Sequence, residues 1–350
     1  MVSRRMFLQS ATLAAGLTGA ASTVIPAGAA QGARQGQRGG QAAEQGSAGA
    51  APKPASELQV PKMKFGNVEI SRLVIGCNPF VGYSHFNNIL NTVMREYYTP
   101  EKVCEVMHQC NRFGINAFNY RHNDVGYSNL KRFQAEGGKM HLIVQDWNDP
   151  VGVWKDVQPL AMHYLGEYVD RAFQDDNMEM VQEWCKKARD TGTMVGVGTH
   201  KPEVIDFVES KGWDVDFYAG CVYNRSRTAD EWKQVLGNEL PELPNEIYLQ
   251  SDPPKMYKAM RQTKKPCFAF KILAAGRISR GAARQAARTS SSSPQSRFPN
   301  TGTQGTVEQA FRTAFQSIKP NDGIFVGMFP RVTDEVRENA EHTVRALAKS

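Results

Sequence analysis

From Lys62 onward, short apolar runs alternate with longer segments of helical period. The runs are "RLVIGCNPF", "INAFNYR", "HLIVQDWND", "LAMHYLG", "MVGVGTH", "VDFYAGCVYN", "CFAFKILAAG" and "GIFVGMF". Each is nearly continuous in apolar residues, as a strand covered on both faces of a parallel sheet requires. The intervening segments carry helix signals. In "TPEKVCEVMHQCNRFG", Thr99 is placed to cap and Pro100 takes the first helical position. Val103, Val106, Met107 and Cys110 then share one face, and Gly114 ends the helix. "NMEMVQEWCKKARDTG" repeats the pattern with Met180, Val181, Trp184 and Ala188. Eight strand–helix units over this span predict a (β/α)8 TIM barrel, a fold of typically about 250 residues. An alternating "MKFGNVEISRL" with Gly66-Asn67 at its turn predicts a β-hairpin ahead of the barrel. An open doubly wound sheet is the other option, but no GxGxxG follows the first strand.

The segment before this rhythm differs in texture. "SRRMFLQ" opens a mildly apolar run that ends at "PAGAA". Residues 1–29 resemble a twin-arginine signal peptide, which implies an exported, periplasmic protein. The export machinery is then one partner. Membrane contact is transient, or persists through an uncleaved signal. Residues 30–57 are Gly/Ala/Gln-rich and read as a disordered linker, leaving 58–350 for the barrel. The six cysteines are scattered without a CxxC pair and read as buried small residues.

The formal charge of +7 is unevenly spread. Residues 1–57 hold five Lys/Arg against two Glu, and residues 277–297 hold five Arg and no acid. The rest is near neutral, which argues against a nucleic-acid partner. Residues 277–303 form an overlong insertion after the seventh strand, either disordered or lid-like.

In a barrel of this type, chemistry gathers where the strands end. The sequence puts Asn78, Asn119, Arg121, His122, Asp146, Trp147, His163, His200, Asn224 and Lys271 there. This polar set implies a small-molecule substrate. Asn78, His122, Asp146 and Trp147 are candidate substrate contacts.

Several segments together resemble the aldo-keto reductase family. "GINAFNYRHNDVGYS" is similar to its catalytic-loop segment, "LAMHYLGEYVD" to its histidine-bearing strand, and "VGVGTHKPEVIDF" and "VDFYAGCVYN" to the two strands that follow. "GIFVGMFPRVTDEVRENA" resembles its last strand and helix. The resemblance implies a reductase of a small carbonyl or sugar-like compound, with NADPH as cofactor. It implies catalytic roles for His163, Asn119 and Tyr127, with Lys271 and Arg121 as cationic partners. It implies cofactor contacts at His200, Asn224, Arg277, Arg337 and Asn339. The match departs from the family at most of the catalytic tetrad. The family Asp falls on Asn119, and the family Lys falls on Gln145 or Asp146.

Three other readings of the same rim stay open. Lys271, inside an apolar run, is a candidate Schiff-base or general-base lysine for an isomerase or lyase. His122, His163, His200, Asp146 and Glu167 form a candidate divalent-metal set, although no HxH or HExxH spacing supports it. A carbohydrate-binding barrel without turnover is the third.

Overall fold

The computed structural model describes residues 54–237, 246–278 and 306–348. The expected signal peptide, nearly all of the linker and most of the insertion lie outside these residues. No helix among the described residues is long and apolar enough to cross a membrane.

The hairpin forms as the sequence predicts. β1 (Lys62–Phe65) pairs antiparallel with β2 (Val68–Ser71), and Gly66 at the turn has φ of 61°. Eight parallel strands then close into a barrel. They are β3 (Leu73–Gly76), β4 (Ala117–Arg121), β5 (His141–Asp146), β6 (Ala161–Tyr164), β7 (Met194–Thr199), β8 (Phe217–Cys221), β9 (Cys267–Phe270) and β10 (Gly323–Gly327). Each pairs with the next in sequence, and β10 closes on β3. That closure rules out the open doubly wound sheet.

Helices cover the barrel. They are α1 (Asn88–Tyr97), α2 (Pro100–Arg112), α3 (Asp124–Ala135), α4 (Pro150–Val157), α5 (Gly166–Gln174), α6 (Glu179–Arg189), α7 (Pro202–Ser210), α8 (Ala229–Leu236), α9 (Pro253–Gln262), α10 (Val307–Ser317) and α11 (Glu335–Leu347). Thr99 caps α2 by accepting from the Lys102 amide, as its position requires. Alternate strand residues divide the apolar mass in two. Ile75, Phe118, Val144, Met162, Val197 and Ile324 face the helices. Val74, Ala117, Ile143, Ala161, Phe217, Phe268 and Phe325 fill the interior.

The hairpin has a mechanical role. Phe65 is fully buried, with its ring edge-on to Phe217 and Phe268 at 5.2 Å each. Burying such a ring contributes about 2–3 kcal/mol. It also plugs the end of the barrel from which the strands start. Any reachable chemistry is therefore left to the other end.

One excursion was not evident from the sequence. Between β3 and α2 the chain makes a short 3-10 turn, Asn78–Val81, and then α1, which Asn87 caps. This stretch reaches over the strand ends. Tyr97 and Tyr98 donate to the carbonyls of Pro330 and Met328. His85 meets Glu246 from the segment between α8 and α9.

Candidate functional site

Two polar clusters lie toward the open end. The inner one is built on β4 and β6. Asn119 Nδ2 donates to His163 Nε2 at 3.0 Å and to the Ile143 carbonyl at 3.3 Å. His163 Nδ1–H then faces the Tyr164 carbonyl at 3.3 Å, which fixes the neutral tautomer. The ring lies between Phe217 and Phe325. Burial pushes its pKa down to about 4. Two glycines make room for it. A Cβ on Gly198 would stand 2.8 Å from the Tyr164 carbonyl oxygen and 3.1 Å from His163 Nδ1. One on Gly196 would strike the Phe217 ring at 2.5 Å.

The outer cluster surrounds Lys271, the first residue after β9. Lys271 is half-buried and holds a left-handed backbone, φ 62°, which a non-glycine residue adopts at a cost. Ala274 and Ala275 follow with φ of 47° and 52°. Desolvation, and next Arg225, lower the Lys271 pKa to about 7; Cys221 and Glu246 oppose this, and Arg277 reinforces it. Glu246 Oε1 accepts from His85 Nδ1 at 2.7 Å, and His85 Nε2 accepts from Asn78 Nδ2 at 3.0 Å. Burial and then Lys271 push His85 down to about 4, against the pull of Glu246. Burial would raise the Glu246 carboxyl, but the His85 hydrogen bond and the surrounding cations hold it at about 2. Arg225 and Tyr248 also donate to this carboxylate. Arg277 braces the cluster by donating to the carbonyls of His85 (3.2 Å) and Glu246 (3.1 Å) while lying 4.3 Å over the Tyr248 ring.

The remaining expected residues go elsewhere. Arg121 is exposed and stacks on Trp147 at 4.9 Å, and Trp147 stacks on Tyr168 at 5.3 Å. Tyr127 lies on α3, edge-on to His122 with the Lys131 ammonium 5.2 Å over its ring. His122 pairs with Asp156 at 2.9 Å. Asp146 accepts from the Trp184 indole of α6, so it faces the helices. His200 is tied to Asp170 at 2.6 Å, and Thr199 and Ser226 share that carboxylate. Asn224 accepts from the Ser226 amide at 3.1 Å. Arg337 lies over Phe113 on α11, where Asn339 is buried. No three His, Cys, Asp or Glu side chains among the described residues converge as metal ligands. Four of the five residues of the expected metal set have separate partners: Asp156 for His122, Asn119 for His163, Asp170 for His200 and Trp184 for Asp146, while the fifth, Glu167, lines a cavity with Arg171.

His85, Glu246 and Arg225 were not singled out from the sequence. Their signal was faint: a histidine in "GYSHFNN" and a glutamate in "PELPNEIY", each in an irregular stretch.

No family model matches the chain. No curated protein matches it either. Among solved structures, a truncated 3-deoxy-D-arabino-heptulosonate 7-phosphate synthase from Thermotoga maritima is 12% identical, covering 83% of this chain and 92% of that one, with a TM-score of 0.43. N-acetylneuraminic acid synthetase from Leptospira borgpetersenii is 9% identical, covering 83% and 90%, with a TM-score of 0.43. The structure titled Gox0644 in its apo form is 9% identical, covering 82% and 88%, with a TM-score of 0.45.

The aldo-keto reductase resemblance is corrected on these findings. No family model and no curated protein supports a reductase. The geometry supplies the physical reason. The position of the family carboxylate holds the amide Asn119, and Tyr127 sits on a helix against Lys131 and His122. No tyrosine hydroxyl is recorded donating to His163 or Asn119 among the described residues. The oxidoreductase activity and the NADPH expectation rested on that resemblance and fall with it.

Proposed function

We propose that the chain is a non-redox barrel enzyme in which the Lys271 amine works on the carbonyl of a small, sugar-like substrate. One observation carries this reading: Lys271 stands at a strand end of a barrel whose opposite end is plugged, within electrostatic reach of His85 and Glu246 in the Asn78–His85–Glu246 chain. A lysine of ordinary pKa is almost wholly protonated at neutral pH and is a poor nucleophile. Near 7, about half of the Lys271 population is the free amine.

The free amine adds to a carbonyl carbon to give a carbinolamine. Its hydroxyl takes up a proton from solvent and leaves as water, giving a protonated imine that draws electrons from the neighbouring carbon. Removal of a proton, or cleavage of a carbon–carbon bond, becomes easier there. This is the chemistry of an isomerase or a lyase. His85 is neutral, oriented by Glu246 and within the field of Lys271, so it is the group assigned to carry protons during these steps. Arg225 and Glu246 shift the amine in opposite directions.

Borohydride reduction in the presence of a small aldose or ketose, followed by peptide mass analysis, tests this reading. A reduced adduct at Lys271 is the expected result. Adducts spread over the surface lysines, with none at Lys271, would overturn it.

A further inference from the structure

A cavity of about 270 Å³ adjoins the Lys271 cluster, between α5 and the segment that follows β8. Glu167, Arg171, Gln174, Arg225, Ser226 and Arg227 line it. Tyr83 from the β3–α2 excursion also lines it and meets the His85 ring edge-on at 4.5 Å. Three arginines on one small wall need accounting for. Arg227 is committed: it is buried and holds Asp252 through both Nη atoms. Arg225 is half committed, since Nη2 serves Glu246 and no hydrogen bond from Nη1 is recorded among the described residues. Arg171 is exposed on α5 and has no ion pair among the described residues. Glu167 is the one carboxylate among the lining residues.

We propose that this cavity receives the anionic end, a carboxylate or a phosphate, of the carbonyl substrate that Lys271 engages. Arg171 and the open edge of Arg225 supply a planar array of N–H donors, the geometry that oxyanions match. Gln174 and the Ser226 backbone, which are joined by a hydrogen bond, form the adjoining wall. Arg225 links the two places physically, with one face on Glu246 and the other in the cavity. A substrate with a carbonyl at one end and a negative group at the other spans them.

The inference rests on the Lys271 reading, and the test separates the two. Borohydride adducts at Lys271 are measured on the full chain with glyceraldehyde, glyceraldehyde 3-phosphate and glyoxylate. Binding of inorganic phosphate and of acetate is measured independently by calorimetry. The expected result is an adduct formed at about 10-fold lower concentration with an anionic carbonyl than with glyceraldehyde. Arg171→Met should reduce that preference, and anion binding with it, by about the same factor. Lys233→Ala, an exposed cation change on α8, should leave both unchanged. Whether phosphate or acetate binds more tightly identifies the headgroup. Equal trapping of neutral and anionic carbonyls, or a preference that survives Arg171→Met, overturns the cavity assignment. Anion binding that Arg171→Met abolishes, with no adduct from any carbonyl, supports the cavity and overturns the lysine chemistry.

Discussion

His163 and His85 are both pushed down to about 4, yet their surroundings differ in kind. His163 meets an amide, a backbone carbonyl and two aromatic rings. Burial alone lowers it. His85 meets a carboxylate, an amide and the field of a nearby lysine, and its value is a balance of opposed charges. Depth in a barrel is therefore a poor guide to chemistry. A buried histidine among uncharged partners is a satisfied interior group. A histidine wired to a carboxylate beside a half-buried lysine can exchange protons with something that enters.

The contrast can be broken most directly at Lys271. Lys271→Met should abolish the carbonyl adduct, a loss of about 100-fold or more, with the far-UV spectrum unchanged. An adduct that persists at another lysine would move the chemistry away from the outer cluster. His163→Ala should do the reverse. Removing the ring leaves a cavity between Phe217 and Phe325 and costs about 2–4 kcal/mol in urea unfolding, while Lys271 still forms its adduct. A large loss of trapping with unchanged stability would make His163 catalytic after all.

A pH series sharpens the same comparison. Adduct formation on the wild type should be half-maximal near pH 7 and level off above it, instead of climbing toward 10.5. Glu246→Gln removes a charge that raises the Lys271 pKa, so the midpoint should move to lower pH. The stability signs follow from linkage. The folded state holds the Lys271 proton less well than the unfolded chain. Its contribution is therefore unfavourable below pH 7 and is relieved as pH rises from about 7 to 10.5. Both histidines are also depressed, so stability present above pH 6.5 is lost as pH falls toward 4. His163→Ala should remove part of that acid sensitivity, which an equilibrium melt at several pH values would read. The smallest effect belongs to Arg121. It is exposed, with its guanidinium stacked on the Trp147 ring, so Arg121→Ala should cost about 0.5 kcal/mol in the same melt.

The barrel was legible because each strand is a bounded apolar run and each helix carries its own stop signal. The division of its strands into inner and outer faces was legible as well. Ile143 faces inward, so Gln145 shares its side and Asp146 must face the helices. Counting alternation would have removed Asp146 from the substrate contacts. The same counting fails at Lys271. Phe268 faces inward, but the backbone turns left-handed at residue 271 and re-aims the side chain. Nothing in "CFAFKILAA" announces that turn, because lysine is not a residue that favours it. The His85–Glu246 pairing was also out of reach. It joins positions 161 residues apart, each in irregular chain with no period to read.

That separation has a consequence for how the molecule gains and loses competence. The hub of the outer cluster is a clasp between two surface segments, and neither belongs to the parallel ladder. Mild urea or warming should spring the clasp while the ladder still holds. Reactivity toward carbonyls would then vanish at a lower denaturant concentration than the circular dichroism signal, and would return within the time a loop takes to redock.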